Sequence, residues 1–179
     1  MTQLAAMYLV GLHLAEVRGY RDADEVRSHF KDLSTIPELI SRVLDRMGPV
    51  RKLARDIAAE DRVLFLGRHV GYPMALEGAL KLKELAYVSA EGFPAGEIKH
   101  GPIALIEQGT PVVVLAPRHA LTPKLITNVQ EIRARGARTI VIATDGDESV
   151  TAYADDLIRI PDTKSLLSPL LTMVPMQVL

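Results

Sequence analysis

The stretch Val63-Leu64-Phe65-Leu66-Gly67-Arg68-His69-Val70-Gly71-Tyr72-Pro73 decides the fold. Four apolar residues in a row suit a strand buried on both faces, and the glycines and proline after them mark a tight turn into a helix. The same kind of run recurs as Val112-Val113-Val114-Leu115 and Ile140-Val141-Ile142-Ala143, and more weakly as Leu157-Ile158-Arg159-Ile160. Helical segments lie between the runs: a long one from about Pro73 to Val88, a short one after Pro102, and one from about Thr122 to Arg135 that Gly136 ends. No Asn-Gly or Asp-Gly pair joins adjacent strands, so parallel strands with helical crossovers are the economical arrangement. The expected fold is α/β from about residue 48 onward: a three-layer, doubly wound, flavodoxin-like parallel sheet preceded by helices.

Ahead of this stretch, Leu4, Met7, Tyr8, Leu12 and Ala15 recur at three- and four-residue steps, which predicts a helix from Gln3 to Val17 that stops at Gly19. Its apolar residues cover most of its circumference, as in a helix cut from a larger packed body. Residues 23–47 read as two amphipathic helices, one through Val26, Phe30 and Leu33, the other capped by Ser34 or Thr35 with Leu39, Ile40, Val43 and Leu44 on one face. Pro49 starts a short helix through Leu53 and Ile57. The apolar end, Val174-Pro175-Met176-Gln177-Val178-Leu179, also reads as a truncation, so apolar helices are expected to be exposed at both ends and to favour self-association.

The chain has 179 residues, enough for one domain with roughly forty to spare. Against 22 Asp and Glu stand 21 Lys and Arg, a net charge of −1, so no global positive field draws in nucleic acid or an anionic membrane. A composition of 48% hydrophobic and 24% charged residues is that of a packed globular protein. Without cysteine there is no disulfide, thiolate site or cysteine nucleophile, which fits the cytoplasm. Neither a bilayer-spanning run nor a signal peptide is evident, so no membrane partner is expected.

Three places carry candidate chemistry. In doubly wound sheets ligands bind at the carboxyl ends of the strands, which draws attention to Gly67 and Arg68 in the first turn. The turn matches neither a dinucleotide fingerprint nor a P-loop, and contact of Arg68 and His69 with an anion stands beside an ordinary strand-to-helix turn. Further on, Glu77, Lys81 and Glu84 stand at i, i+4 and i+7 and share a helix face. A solvent-facing ladder and a carboxylate tuned by a lysine to move a proton near the sheet's ligand edge are both open. Third, Ala90 to Pro102 reads as a loop of about a dozen residues holding four ionisable side chains, more than a connector needs. His100 is its best-placed imidazole, as a structural or a catalytic residue. None of the five histidines has a metal-ligand spacing, and neither metal nor cofactor is expected.

The run Leu66-Gly67-Arg68, Tyr72-Pro73, Ala75 through Glu84, Ala90-Glu91 and Gly96-Glu97-Ile98-Lys99-His100-Gly101-Pro102 closely resembles the second sugar-isomerase (SIS) domain of the glutamine:fructose-6-phosphate aminotransferase (isomerising) family, the glucosamine-6-phosphate synthases. Weaker similarity covers nearly the whole chain. The resemblance implies an SIS-type sheet in residues 48–179, and in residues 1–47 the last helix of a truncated first SIS domain plus a helical connector. It implies an isomerase region that helps turn fructose 6-phosphate into glucosamine 6-phosphate, with Glu84 as the base moving a proton between C1 and C2. Lys81 then assists, and His100 helps open the sugar ring from the neighbouring subunit of a homodimer. Glu77, Arg68 and Gly67 are the expected substrate-binding residues. The implied partners are the sugar phosphate and the first SIS and glutaminase domains of the full enzyme.

The family's Ser/Thr-rich phosphate loop does not occur in this sequence, and its Schiff-base lysine lies in a tail beyond Leu179. This chain alone is therefore expected to be inactive. Two rival readings are a stand-alone sugar-phosphate-binding regulatory module and a non-catalytic dimerisation domain; no helix-turn-helix supports the first.

Overall fold

The computed structural model describes residues 1–179. Three helices come first: α1 (Thr2–Val17), α2 (Ala23–Leu44) and α3 (Gly48–Ile57). Five strands follow, β1 (Arg62–Gly67), β2 (Ser89–Pro94), β3 (Pro111–Ala116), β4 (Arg138–Thr144) and β5 (Asp156–Ile160). Helix α4 (Gly71–Ala86) joins β1 to β2, α5 (Thr122–Ala134) joins β3 to β4, and α6 (Ser168–Val178) closes the chain. The strands form one parallel sheet in the order β2-β1-β3-β4-β5, the doubly wound arrangement expected from the sequence.

Continuous apolar runs form these strands because each buries both faces. In β1, Val63 and Phe65 join a core with α2, α3, α4 and α6, while Leu64 and Leu66 join a second core with α5 and the β2–β3 crossover. The same alternation divides Val113 and Leu115 from Val112 and Val114 in β3. The result is three layers, with α4 on one face and the β2–β3 crossover on the other.

Three expectations need correction. The supposed loop after residue 89 begins as strand β2 and continues in two tight 3-10 turns, Ala95–His100 and Pro102–Leu105. β2 escapes a pattern reading because it is an edge strand with exposed Glu91 and a glycine where α4 crosses it. A Cβ on Gly92 would come within 2.8 Å of the Ala75 carbonyl group, so the residue is chosen for close approach rather than strand propensity.

The two helices expected between residues 23 and 47 are one. Asp22 and Glu25 form a reciprocal capping box that starts α2. Ser34 and Thr35, the expected caps, instead donate their hydroxyls back to the carbonyls of Lys31 and Asp32 inside the helix. Pro37 is accommodated within it.

The apolar C-terminal run is not exposed: α6 is buried from Ser168 to Met176, wedged among α2, α3 and α4. Apolar exposure at the chain ends is confined to α1, through Met7, Val10, Leu14 and Val17. The Tyr8 hydroxyl, 2.8 Å from His29 Nδ1, ties α1 to α2, and a Lys164–Asp32 ion pair ties α2 to the segment before α6. No helix is long and apolar enough to cross a membrane.

Candidate functional site

Helix α4 starts at the carboxyl end of β1 and runs back along the sheet to the amino end of β2, 16 residues or roughly 24 Å. Glu77, Lys81 and Glu84 lie along one of its faces, as their spacing predicts. Lys81 Nζ sits 2.8 Å from Glu84 Oε2 and 3.8 Å from Glu77 Oε1, so two carboxylates flank one ammonium. The hydrogen bond to Glu84 and the charges of both carboxylates, with burial opposing them, raise the Lys81 pKa above its ordinary value of 10.5. Lys81 is therefore charged at neutral pH and donates a hydrogen bond to Glu84.

The position of Glu84 is not one that helix stability favours. It lies in the last turn, where the carbonyl end of the helix dipole disfavours a carboxylate by about 0.3–1 kcal/mol. With its side chain half exposed, its pairing with Lys81 returns little more than that. Beside it, Leu85 and Tyr87 are 75% and 91% exposed, and Tyr87 ends the helix in the left-handed conformation at φ 56°. Lys81 also forms the polar wall of an otherwise largely apolar cleft of about 430 Å³ between the ends of α4 and α6, lined by Leu82, Leu85 and Met176. That volume is within the range of small-molecule sites.

The expectation that this carboxylate lies near the sheet's ligand edge is corrected by the course of α4. Lys81 and Glu84 are at the amino edge of the sheet, three turns beyond the strand-to-helix turn. Gly67 and Arg68 stay at the carboxyl edge. Gly67 is required there by a close approach: any Cβ would lie 2.1 Å from the Gly71 carbonyl oxygen. Arg68 Nη1 donates to Asn128 Oδ1 at 3.4 Å.

His100 occupies a third place. It closes the 3-10 turn after β2, exposed, with Nε2 3.9 Å from Glu97 Oε2. The crossover carrying it packs Ala95, Ile98 and Ile106 into the core on the sheet face opposite α4. Neighbouring Lys99 pairs with Glu131 of α5 at 2.6 Å. Within one chain the crossover that carries His100 packs on the sheet face opposite α4, the helix that carries Glu84.

Spacing alone did not single out His119 as a partner of the first turn. It follows β3, and its ring lies 5.5 Å from that of His69, tilted by 35°. Burial above all, then the nearness of His69 and Arg68, holds its imidazole below the usual pKa of 6.5. The signal available in the sequence was position: both histidines follow the carboxyl ends of apolar runs. No group of three or more His, Asp or Glu side chains converges as a metal set.

Residues 56–178 match the family model described as the SIS domain. The chain is 61% identical to the glutamine–fructose-6-phosphate aminotransferase (isomerizing) of Streptomyces coelicolor, an alignment covering 99% of this chain and 30% of that protein. To the protein of the same name from Mycobacterium tuberculosis H37Rv it is 57% identical, covering 99% and 29%. The chain thus spans about 30% of the length of the curated relatives it matches. Among solved structures, the C-terminal domain of glucosamine-fructose-6-phosphate aminotransferase from Francisella tularensis superimposes with a TM-score of 0.92 at 29% identity, over 99% of this chain and 50% of that one. Tagatose-6-phosphate ketose/aldose isomerase from Escherichia coli shares the fold with a TM-score of 0.67 at 23% identity, over 80% of this chain and 41% of that one.

Proposed function

The chain belongs to the SIS-domain family and is homologous to the C-terminal isomerase region of the glutamine–fructose-6-phosphate aminotransferases, and on that premise we propose that it serves in making glucosamine 6-phosphate from fructose 6-phosphate and ammonia released from glutamine, the nitrogen replacing the C2 oxygen, which leaves as water. Residues 48–179 are the second SIS domain on this reading, and residues 1–47 are the last helix of a first SIS domain with its connector. The first SIS domain and a glutaminase domain are its partners, and the chain alone does not turn over. The cysteine-free sequence is in keeping with a cytoplasmic place.

The observation that carries the proposal is the Lys81–Glu84 pair at 2.8 Å on a rigid helix. An aldose–ketose exchange needs a group that takes a proton from C1 and returns it at C2, leaving no net change in protonation. A carboxylate does this when it is held in one place, and Lys81 donates a hydrogen bond to Glu84. As electrons move onto the sugar oxygens in the enediolate-like state, the same ammonium favours the developing negative charge. Glu77 borders this face as a substrate-binding residue. His100 of a second copy hydrogen-bonds the ring oxygen and assists opening, which agrees with the packing of its crossover on the sheet face opposite α4. Gly67 and Arg68, at the far end of α4, bind anionic substrate only outside the reach of Glu84.

A chimera tests this. This chain replaces the corresponding region of the Streptomyces coelicolor relative, and glucosamine 6-phosphate formation is assayed with and without Glu84→Gln. The chimera is expected to be active, the variant to lose about a hundred- to ten-thousand-fold in kcat, and the chain alone to show no turnover. A Glu84→Gln chimera as active as its parent would remove the base assignment.

A further inference from the structure

The crossover between β2 and β3 carries His100, and its own geometry holds that side chain weakly. Its two 3-10 turns are six and four residues long, and such turns make poorer hydrogen bonds than an α-helix. Gly101 follows His100 at φ 136°, a backbone conformation that a residue with a side chain rarely adopts. Glu97 lies 3.9 Å from His100 Nε2, beyond hydrogen-bond distance. Ala95 and Ile98 anchor the first turn in the core, so Lys99 and His100 project past its last anchor.

A tie from another element reaches this point. Lys99 Nζ stands 2.6 Å from Glu131 Oε1 of α5, the helix that packs against the first 3-10 turn. The other oxygen of Glu131 accepts a hydrogen bond from Asn128 Nδ2 at 3.4 Å, one turn earlier on the same face of α5. Asn128 is buried, and its Oδ1 accepts from Arg68 Nη1 at 3.4 Å. Gly96 lets the crossover lie close to that guanidinium, since a Cβ there would be 3.1 Å from Nη1. A row of four side chains, Arg68, Asn128, Glu131 and Lys99, thus runs from the turn after β1 to the residue beside His100. Stability does not account for Glu131. It lies in the last turn of α5, where the carbonyl end of the helix dipole disfavours a carboxylate. Its partner Lys99 is more than half exposed, so the ion pair adds little to folding.

We infer that Glu131 is a positioning residue for the ring-opening step: oriented by Asn128, it holds Lys99 and so sets the turn from which the adjacent His100 reaches the sugar bound by a second copy. A ring nitrogen assists opening only within hydrogen-bond reach of the sugar's ring oxygen, and a displacement of about 1 Å costs on the order of a hundredfold in rate. Glu131 acts through Lys99 and not on the sugar. The inference rests on the reading of His100 as the ring-opening group and deepens it.

The chimeric enzyme carries the test. Glu131→Ala and Lys99→Met are each expected to lower kcat by about ten- to a hundredfold with the KM for fructose 6-phosphate unchanged. The double variant is expected to be no worse than either single one, because both changes break the same tie. Lys99→Arg, which keeps a cation on the carboxylate, is expected to retain most of the activity. Glucitol 6-phosphate, an open-chain alcohol that needs no ring opening, is expected to inhibit parent and variants equally, a readout that general damage to the site would move. Hydrogen exchange in residues 95–105 is expected to quicken in Glu131→Ala and Lys99→Met while residues 71–86 stay unchanged, which reads the tie without any activity. Parental kcat in both single variants, unaltered exchange, additive losses in the double variant, or weaker inhibition by glucitol 6-phosphate would overturn the inference. If His100→Asn is fully active, the reading of His100 falls and this inference with it; if His100→Asn is inactive while Glu131→Ala and Lys99→Met are not, the inference alone falls.

Discussion

Glu84 and Lys81 define each other at the scale of single residues. The raised pKa of Lys81 comes first from its hydrogen bond to Glu84, so Glu84→Gln is expected to lower it towards 10.5, read from the lysine Nζ signal during an alkaline titration. The folded value exceeds the unfolded one, so the pair's contribution is present below pH 10.5 and lost as pH rises through the folded value. With both side chains partly exposed and screened by solvent, Glu84→Gln is expected to leave the urea midpoint essentially unchanged. A large loss of activity with unchanged stability would mark a side chain kept for chemistry. His119 has the opposite sign. Its folded pKa lies below 6.5, so the unfolded chain takes up more protons and stability falls as pH drops from 6.5 through the folded value. His119→Gln is expected to flatten that slope, measured as the urea midpoint against pH.

Elements are set by what they must pack against, and their legibility in the sequence follows from that. β1, β3 and β4 are legible because sheet interiors demand continuous apolar residues, and α4 because its charged face keeps helical spacing. β2 is not, since Gly92 and Pro94 serve the edge position and the approach of α4 rather than strand propensity. α2 reads as two helices because Ser34, Thr35 and Pro37 carry a boundary signal that tertiary packing of Ile36 and Val43 overrides. The Glu-Lys-Glu face of the site was equally legible. Its separation from Arg68 and His100 was not, because only the direction of α4 and the face covered by the crossover decide it. The packing account makes its own prediction. Gly92→Ala puts a methyl group 2.8 Å from the Ala75 backbone, and neither α4 nor β2 can yield without moving the sheet edge. It is expected to destabilise the chain by about 1–3 kcal/mol in urea unfolding; a neutral result would show that α4 is loosely held.

For the molecule as a whole, one sheet keeps the candidate side chains apart: Lys81 and Glu84 at its amino edge, Gly67 and Arg68 at its carboxyl edge, and His100 on the crossover that packs against the face opposite α4. On the proposed reading, an isomerase centre uniting Glu84 with His100 is built between copies. Mixed assembly tests this claim directly. In the chimeric enzyme, Glu84→Gln and His100→Asn are made in separate chains, each expected to be inactive alone. After subunit exchange about half of the dimers are mixed, and one of the two sites in each holds an intact Glu84 and an intact His100. Activity is expected to return to about one quarter of the parental value. If both variants are inactive alone and their mixture stays inactive despite verified exchange, Glu84 and His100 act within one chain, and the two-copy site is contradicted.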